Sequence, residues 1–335
     1  MVTEMTSVKL TYQQRLEALH DTKLVHTQEK LETIGTMDYD DWALILPPEE
    51  SRETVKSVSG SGVEVTEVRI KGVHIKSNHP SGGFFGPKIT GENYRALLEV
   101  HPPYVDPMSS LAGGYMVNFY AYRKVGWNPD LDFPELLEKL QKYQLGGGIG
   151  GTQHFCQDLQ IGLDLGWDGL LEKIRHYRQV NPQASDFYDG LEDVVLGVQN
   201  WISRTAKEAA RMAKGEANPQ LRENLETMAE MNERLVTDPP KTFREACQWI
   251  VWYQMLARMY NGSGSLGRLD ELLLPFYERD KAAGILTDDE AMFYIACYLV
   301  AETGYVQVGG YDEQGNDMTN PVSYLVLEAA HRLKI

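Results

Sequence analysis

Residues Leu145 to Asp158, LGGGIGGTQHFCQD, form the most glycine-dense stretch of the sequence and close on a histidine, a cysteine and an aspartate. Glycine lets the main chain approach a small molecule closely, and a phosphate cradle is one chemistry that such a run can serve. The stretch lacks the Gly-Lys-Ser/Thr ending of a P-loop and follows no clear strand, so a nucleotide-binding protein using Gly146 to Gly151 is the weakest reading. A tight backbone lining a pocket fits better. Gln153, His154 and Asp158 then stand at the start of a helical segment containing Gly162, Gly166 and Gly169. From that position they can contact a ligand or cap the helix, and residue type alone leaves both open.

A second glycine-rich run, NGSGSLGR, carries Ser263 and Ser265 just ahead of Arg268. Both hydroxyls can hydrogen-bond a polar substrate or stabilise the turn, and residue type favours the turn. Cys156, Cys247 and Cys297 are too widely spaced for a zinc site or a disulfide scaffold and suit a reducing compartment. Cys247 and Cys297 sit in apolar helical patterns and read as core; Cys156, beside His154 and Asp158, stays open as a reactive position. Trp249 and Trp252 also read as core, and no pair of carboxylates has a spacing that implies acid–base chemistry.

These residues belong to a chain of 335 residues, 42% of them hydrophobic, enough for one large or two ordinary domains with a substantial core. The formal charge of −16 repels phosphate backbones and anionic membranes, and no dense basic block offsets it, so nucleic acid and membrane are excluded as partners. No apolar run approaches the ~20 residues that span a bilayer, and the first residues lack the apolar core of a secretory signal. A cytoplasmic address is the default expectation.

The elements that would position the candidate side chains are mostly helices. A β-hairpin is expected near 58–76, around the turn Ser59 to Gly62. Pro134 opens a helix, and a longer one shows Phe187, Leu191, Val194, Val195, Val198 and Ile202 on one face. Leu221, Leu225, Met228 and Leu235 mark another helix. The pairs Thr242/Glu245 and Thr287/Glu290 are capping boxes, the first ahead of a segment, FREACQWIVWYQML, apolar almost all round. Tyr305 to Val308 reads as a short buried strand and Gly309 to Asp317 as a turn. Asn320 and Pro321 then start a helix that meets no stop signal before Ile335, so the polypeptide reads as cut.

Five ordered blocks carry a family resemblance: GIGGTQHFCQDLQIGLDLGWDGLLEKI, TFREACQW, GRLDELLLPFYERD, GILTDDEA and GGYDEQGNDMTNPVSYLVLEAA. Together they resemble glycyl radical enzymes of the pyruvate formate-lyase type, closer to the branch of dehydratases and carbon–heteroatom lyases. The likeness covers about residues 130–335 and is much weaker before that, within a single pyruvate formate-lyase-like domain spanning 1–335.

The resemblance implies an α/β, helix-rich fold: the amino-terminal half of a ten-stranded barrel wrapped by helices. In the family, a glycyl radical takes hydrogen from a cysteine, and the resulting thiyl takes hydrogen from the substrate. The family's Gly-Cys-x-Glu loop and its radical glycine have no counterpart here, so no catalytic residue is assigned. Arg69-Ile70-Lys71-Gly72 only echoes the radical motif and is rejected. By resemblance His154 and Ser265 contact substrate, joined by Gln153, Tyr305 and Gln307.

The expected function is that of an amino-terminal part of an oxygen-sensitive enzyme of anaerobic metabolism, acting on a small polar metabolite by radical dehydration, carbon–heteroatom cleavage or formate acetyltransferase-like acyl transfer. The chain alone would be inactive. The alternative is a non-catalytic partner subunit that completes a split enzyme. No cofactor would be bound by this chain; an iron–sulfur activating enzyme using S-adenosylmethionine would install the radical. Its partners would be that enzyme, the small-molecule substrate, a missing carboxyl-terminal half and, when complete, a second copy in a homodimer.

Overall fold

A computed structural model describes residues 9–35, 45–58, 64–80, 82–114, 117, 119–122, 135, 138–139, 142–143, 156–261, 265–301 and 305–334. Helices dominate these residues. The chain enters through α1 (Tyr12–Ile34), then a hairpin of β1 (Arg52–Val58) and β2 (Glu64–Ile70), then α2 (Pro87–Val100). A helical layer follows, made of α3 (Leu159–Val180), α4 (Ser185–Gly215), α5 (Pro219–Leu235) and α6 (Phe243–Asn261). Last come β3 (Ser265–Arg268), α7 (Leu269–Ala282), α8 (Asp288–Ala301), β4 (Tyr305–Gln307) and α9 (Pro321–Leu333).

Local chemistry sets most helix starts. Thr242 and Glu245 exchange hydrogen bonds with each other's backbone N–H at 2.8 and 3.3 Å, and Thr287 with Glu290 at 2.8 and 3.2 Å, satisfying donors that a helix's first turn leaves open. Asn320 with Ser323 does the same for α9 behind Pro321. α9 runs from Pro321 to Leu333, and Lys334, the last described residue, takes the left-handed region at φ 58°.

The hairpin runs from Arg52 to Ile70, upstream of the expected 58–76, because Gly72 at φ 82° turns the chain out of β2. Its turn at 59–63 lies outside the described residues, as does most of the helix expected after Pro134. On α4, Val195, Val198 and Ile202 are buried as expected, but Phe187 is 49% and Leu191 36% exposed. The buried seam runs instead through Gly190 and Gly197, which let α2 approach closely: a Cβ on Gly91 would stand 2.3 Å from the Gly190 carbonyl oxygen.

The core centres on α6, whose residues from Ala246 to Trp252 are all buried, in line with an apolar pattern on every side. Gly162 of α3 packs under Trp249, and α3 bends at Gly166 (φ 64°, ψ −177°), where a side chain would strike the backbone at Asp238 and Pro239. Buried polar groups then pin an irregular stretch. Gln248 accepts from the Ala112 N–H at 2.7 Å and donates to the Ala112 carbonyl at 2.9 Å, while Asn224 donates to the carbonyls of Pro107 and Ser109. These bonds satisfy backbone that no ladder pairs. α8, buried on most sides, packs against α1, α6 and α9.

No helix of the described residues is long and apolar enough to cross a membrane.

Candidate functional site

The strands β3 and β4 leave the ends of two buried helices, α6 and α8, and lie parallel to each other. A parallel pair needs a crossover, here supplied by α7 and α8. Ser265 stands opposite Tyr305, Gly267 opposite Val306 and Arg268 opposite Gln307, with a register shift between Ser265 and Gly267. Strand alternation puts Tyr305 and Gln307 on one face. That face is open: Tyr305 is 49% exposed and Gln307 is exposed, with only Val306 half-buried between them. The buried strand expected at Tyr305 to Val308 is therefore a one-sided strand, since β3 is its only pairing neighbour among the described residues.

Gly267 adopts φ 76°, a conformation that L side chains rarely take, and a Cβ there would sit 3.5 Å from the Cβ of Cys156. The end of the first glycine-rich segment thus lies against the backbone of β3. Cys156 is exposed and forms no disulfide, whereas burial pushes the thiols of Cys247 and Cys297 above their ordinary range and keeps them protonated. Asp158, at the N-cap position of α3, makes no capping hydrogen bond.

Of the five residues proposed from sequence to contact substrate, Ser265, Tyr305 and Gln307 come together across the strand pair. Gln153 and His154 lie outside the described residues. Sequence reasoning missed Arg268, which pairs with Glu271 at 3.1 Å, donates toward the Met318 carbonyl at 3.4 Å and approaches Asp270 at 3.7 Å. It also missed Asp270, fully buried directly behind the strand. An arginine and an aspartate two positions apart at a strand end were the available signal. No group of three or more His, Cys, Asp or Glu among the described residues has the arrangement of a metal site.

This strand pair, with Cys156 against it, lies within residues 148–335, which match the family model described as pyruvate formate lyase-like. The chain belongs to the pyruvate formate lyase-like family. It is 30% identical over 187 residues to an isethionate sulfite-lyase of Nitratidesulfovibrio vulgaris, covering 48% of this chain and 23% of that protein. It is 28% identical over 222 residues to the probable dehydratase YbiW of Escherichia coli, covering 56% of this chain and 27% of that protein. Among solved structures, a glycyl radical enzyme from Archaeoglobus fulgidus superposes with a TM-score of 0.65 at 16% identity, over 96% of this chain and 47% of that one.

The helix-rich fold is thus that of glycyl radical enzymes, and the relatives are lyases and dehydratases of that class. The matches span less than half the length of the proteins they join to this chain.

Proposed function

We propose that this chain supplies the amino-terminal part of a glycyl radical lyase or dehydratase and forms one wall of a pocket for a small polar metabolite. The observation that carries this reading is the parallel β3–β4 pair, whose register sets Ser265 opposite Tyr305 and Arg268 opposite Gln307, with Tyr305 and Gln307 exposed on one face of β4. The names of the relatives favour carbon–heteroatom cleavage over acyl transfer.

In this reading Gln153, His154, Ser265, Tyr305 and Gln307 hydrogen-bond the substrate and hold its reacting C–H bond toward a thiyl radical. The cysteine and the radical glycine come from polypeptide outside this sequence, in the same chain or a separate one. An iron–sulfur activating enzyme using S-adenosylmethionine installs the radical, this chain binds no cofactor itself, and the complete enzyme is a homodimer in the cytoplasm of an anaerobic cell. Hydrogen bonds from a prearranged wall orient a small polar substrate without themselves taking part in the radical step.

The test restores the remaining polypeptide by extension or by adding a complementary piece. His154→Ala and Ser265→Ala then lower turnover from a few-fold to more than tenfold, since a neutral hydrogen bond contributes about 0.5–1.5 kcal/mol and a charge-assisted one more. Glycyl radical yield, read by electron paramagnetic resonance, stays near that of the parent. Normal turnover and unchanged substrate affinity in folded His154→Ala and Ser265→Ala enzymes would refute the proposed wall.

A further inference from the structure

Asp270 is a fully buried carboxylate on the first turn of α7, and beyond its own helix it reaches the end of β3, the exit of β4 and the start of α9. Its Oδ2 accepts from the Gly309 N–H at 2.7 Å, just past the end of β4, and from the Ser323 hydroxyl at 2.5 Å, on the first turn of α9. Its Oδ1 accepts from the Glu271 N–H at 2.9 Å and faces the Arg268 Nε at 3.7 Å, at the end of β3. Ser323 in turn accepts from the Asn320 N–H at 3.0 Å, so the α9 capping box and the carboxylate form one chain of hydrogen bonds.

Gly309 can meet the carboxylate because its φ is 65°, and a Cβ there would lie 2.9 Å from the Thr319 hydroxyl. A buried carboxylate that accepts several N–H and O–H donors is a strong tether, since each bond is charge-assisted. β4, by contrast, is three residues long and pairs with a strand of four, too little to fix its own register.

We infer that Asp270 is a positioning residue: it anchors the exit of β4 to the end of β3 and the start of α9, and thereby sets where Tyr305 and Gln307 stand relative to Ser265. It touches no substrate. The inference deepens the functional reading, because the residues it positions are those assigned to the pocket wall, but the tether itself can be tested without turnover.

Asp270→Asn is the informative change, being the same shape. An amide can accept at one end only, so it must turn its NH2 either toward the two donors on Oδ2 or toward the Glu271 N–H and Arg268. Backbone hydrogen exchange of the 335-residue chain is measured for the parent, Asp270→Asn and the milder Ser323→Ala, which leaves the carboxylate in place. Exchange at Gly309 and across β4 rises about tenfold or more in Asp270→Asn and by a smaller factor in Ser323→Ala, while amides of α6 keep their protection. If Asp270→Asn does not fold, Ser323→Ala decides alone. Parent-like exchange at Gly309 and β4 in the folded variants overturns the inference.

Where a complementing polypeptide restores turnover, Asp270→Asn raises KM at undiminished radical yield, as a displaced pocket wall requires. Unchanged KM alongside loosened β4 would overturn the positioning role. Absence of turnover in the complemented parent would count against the functional reading, and the exchange data would still decide the tether.

Discussion

Two glycines on the same helix predict opposite responses to the same substitution. A Cβ on Gly190 of α4 would stand 2.4 Å from the Pro87 carbonyl oxygen and 2.9 Å from its carbon, both backbone atoms of α2. Neither can rotate away, so the helices must part by roughly 1 Å, which loosens the dispersion contacts of the whole seam. Overpacking of this kind costs about 1–3 kcal/mol, offset in part by the about 1 kcal/mol that alanine gains over glycine in helix propensity.

Gly215 ends the same helix with nothing within 4 Å of a Cβ and with no left-handed backbone to strain. Alanine there stabilises by about 0.4–1 kcal/mol, chiefly by restricting the unfolded chain. Urea unfolding followed by far-ultraviolet circular dichroism checks both, with the midpoint lowered for Gly190→Ala and raised for Gly215→Ala at constant slope. A Gly190→Ala midpoint at or above that of the parent would refute the close approach of α2 to α4.

Gln248→Ala orphans the buried N–H and carbonyl of Ala112 at about 1–3 kcal/mol each, so its unfolding midpoint falls far more than that of Gln220→Ala, whose amide lies at the half-buried edge. His101 is buried against Trp201, and burial lowers its pKa to about 3. The unfolded chain therefore takes up that proton first. Its contribution is fully present above pH ~6.5 and is lost as the pH falls toward 3, with a slope of at most about 1.4 kcal/mol per pH unit. Stability measured across that window flattens in His101→Leu if the reasoning holds. The chain alone, incubated anaerobically with an activating enzyme and S-adenosylmethionine, develops no glycyl radical doublet by electron paramagnetic resonance; a doublet would show that the radical glycine lies within these residues.

The helix starts were legible because a capping box is a contact between residues three apart, and Thr242/Glu245, Thr287/Glu290 and Asn320 all stand in sequence where they act in space. Cys247, Trp249 and Trp252 were legible as core from the apolar pattern of α6. On α4 the periodicity found Val195, Val198 and Ile202 but misread the start of the face, because the partner helix docks there through Gly190 while the large residues Phe187 and Leu191 meet solvent.

At the site, Ser265, Tyr305 and Gln307 were singled out by resemblance, but their pairing is set by a parallel register that no local pattern encodes. Asp270 was passed over for a related reason: beyond its spacing from Arg268 it looks like an ordinary acidic side chain near a helix start, and its partners Gly309 and Ser323 are distant in sequence.

The parallel connection between β3 and β4 also orders events in time. Two strands of three and four residues, joined through α7 and α8, gain little until both helices have docked, because the loop entropy must be met before the few ladder hydrogen bonds form. The expected folding transition state therefore lies in the helical layer around α6, with the strand pair condensing afterwards. Substitutions at Tyr305, Gln307 or Gly309 then speed unfolding and leave the folding rate nearly untouched, whereas Trp249 or Trp252 substitutions slow folding itself. Evolution can thus alter the exposed face of β4 without disturbing the route by which this chain folds.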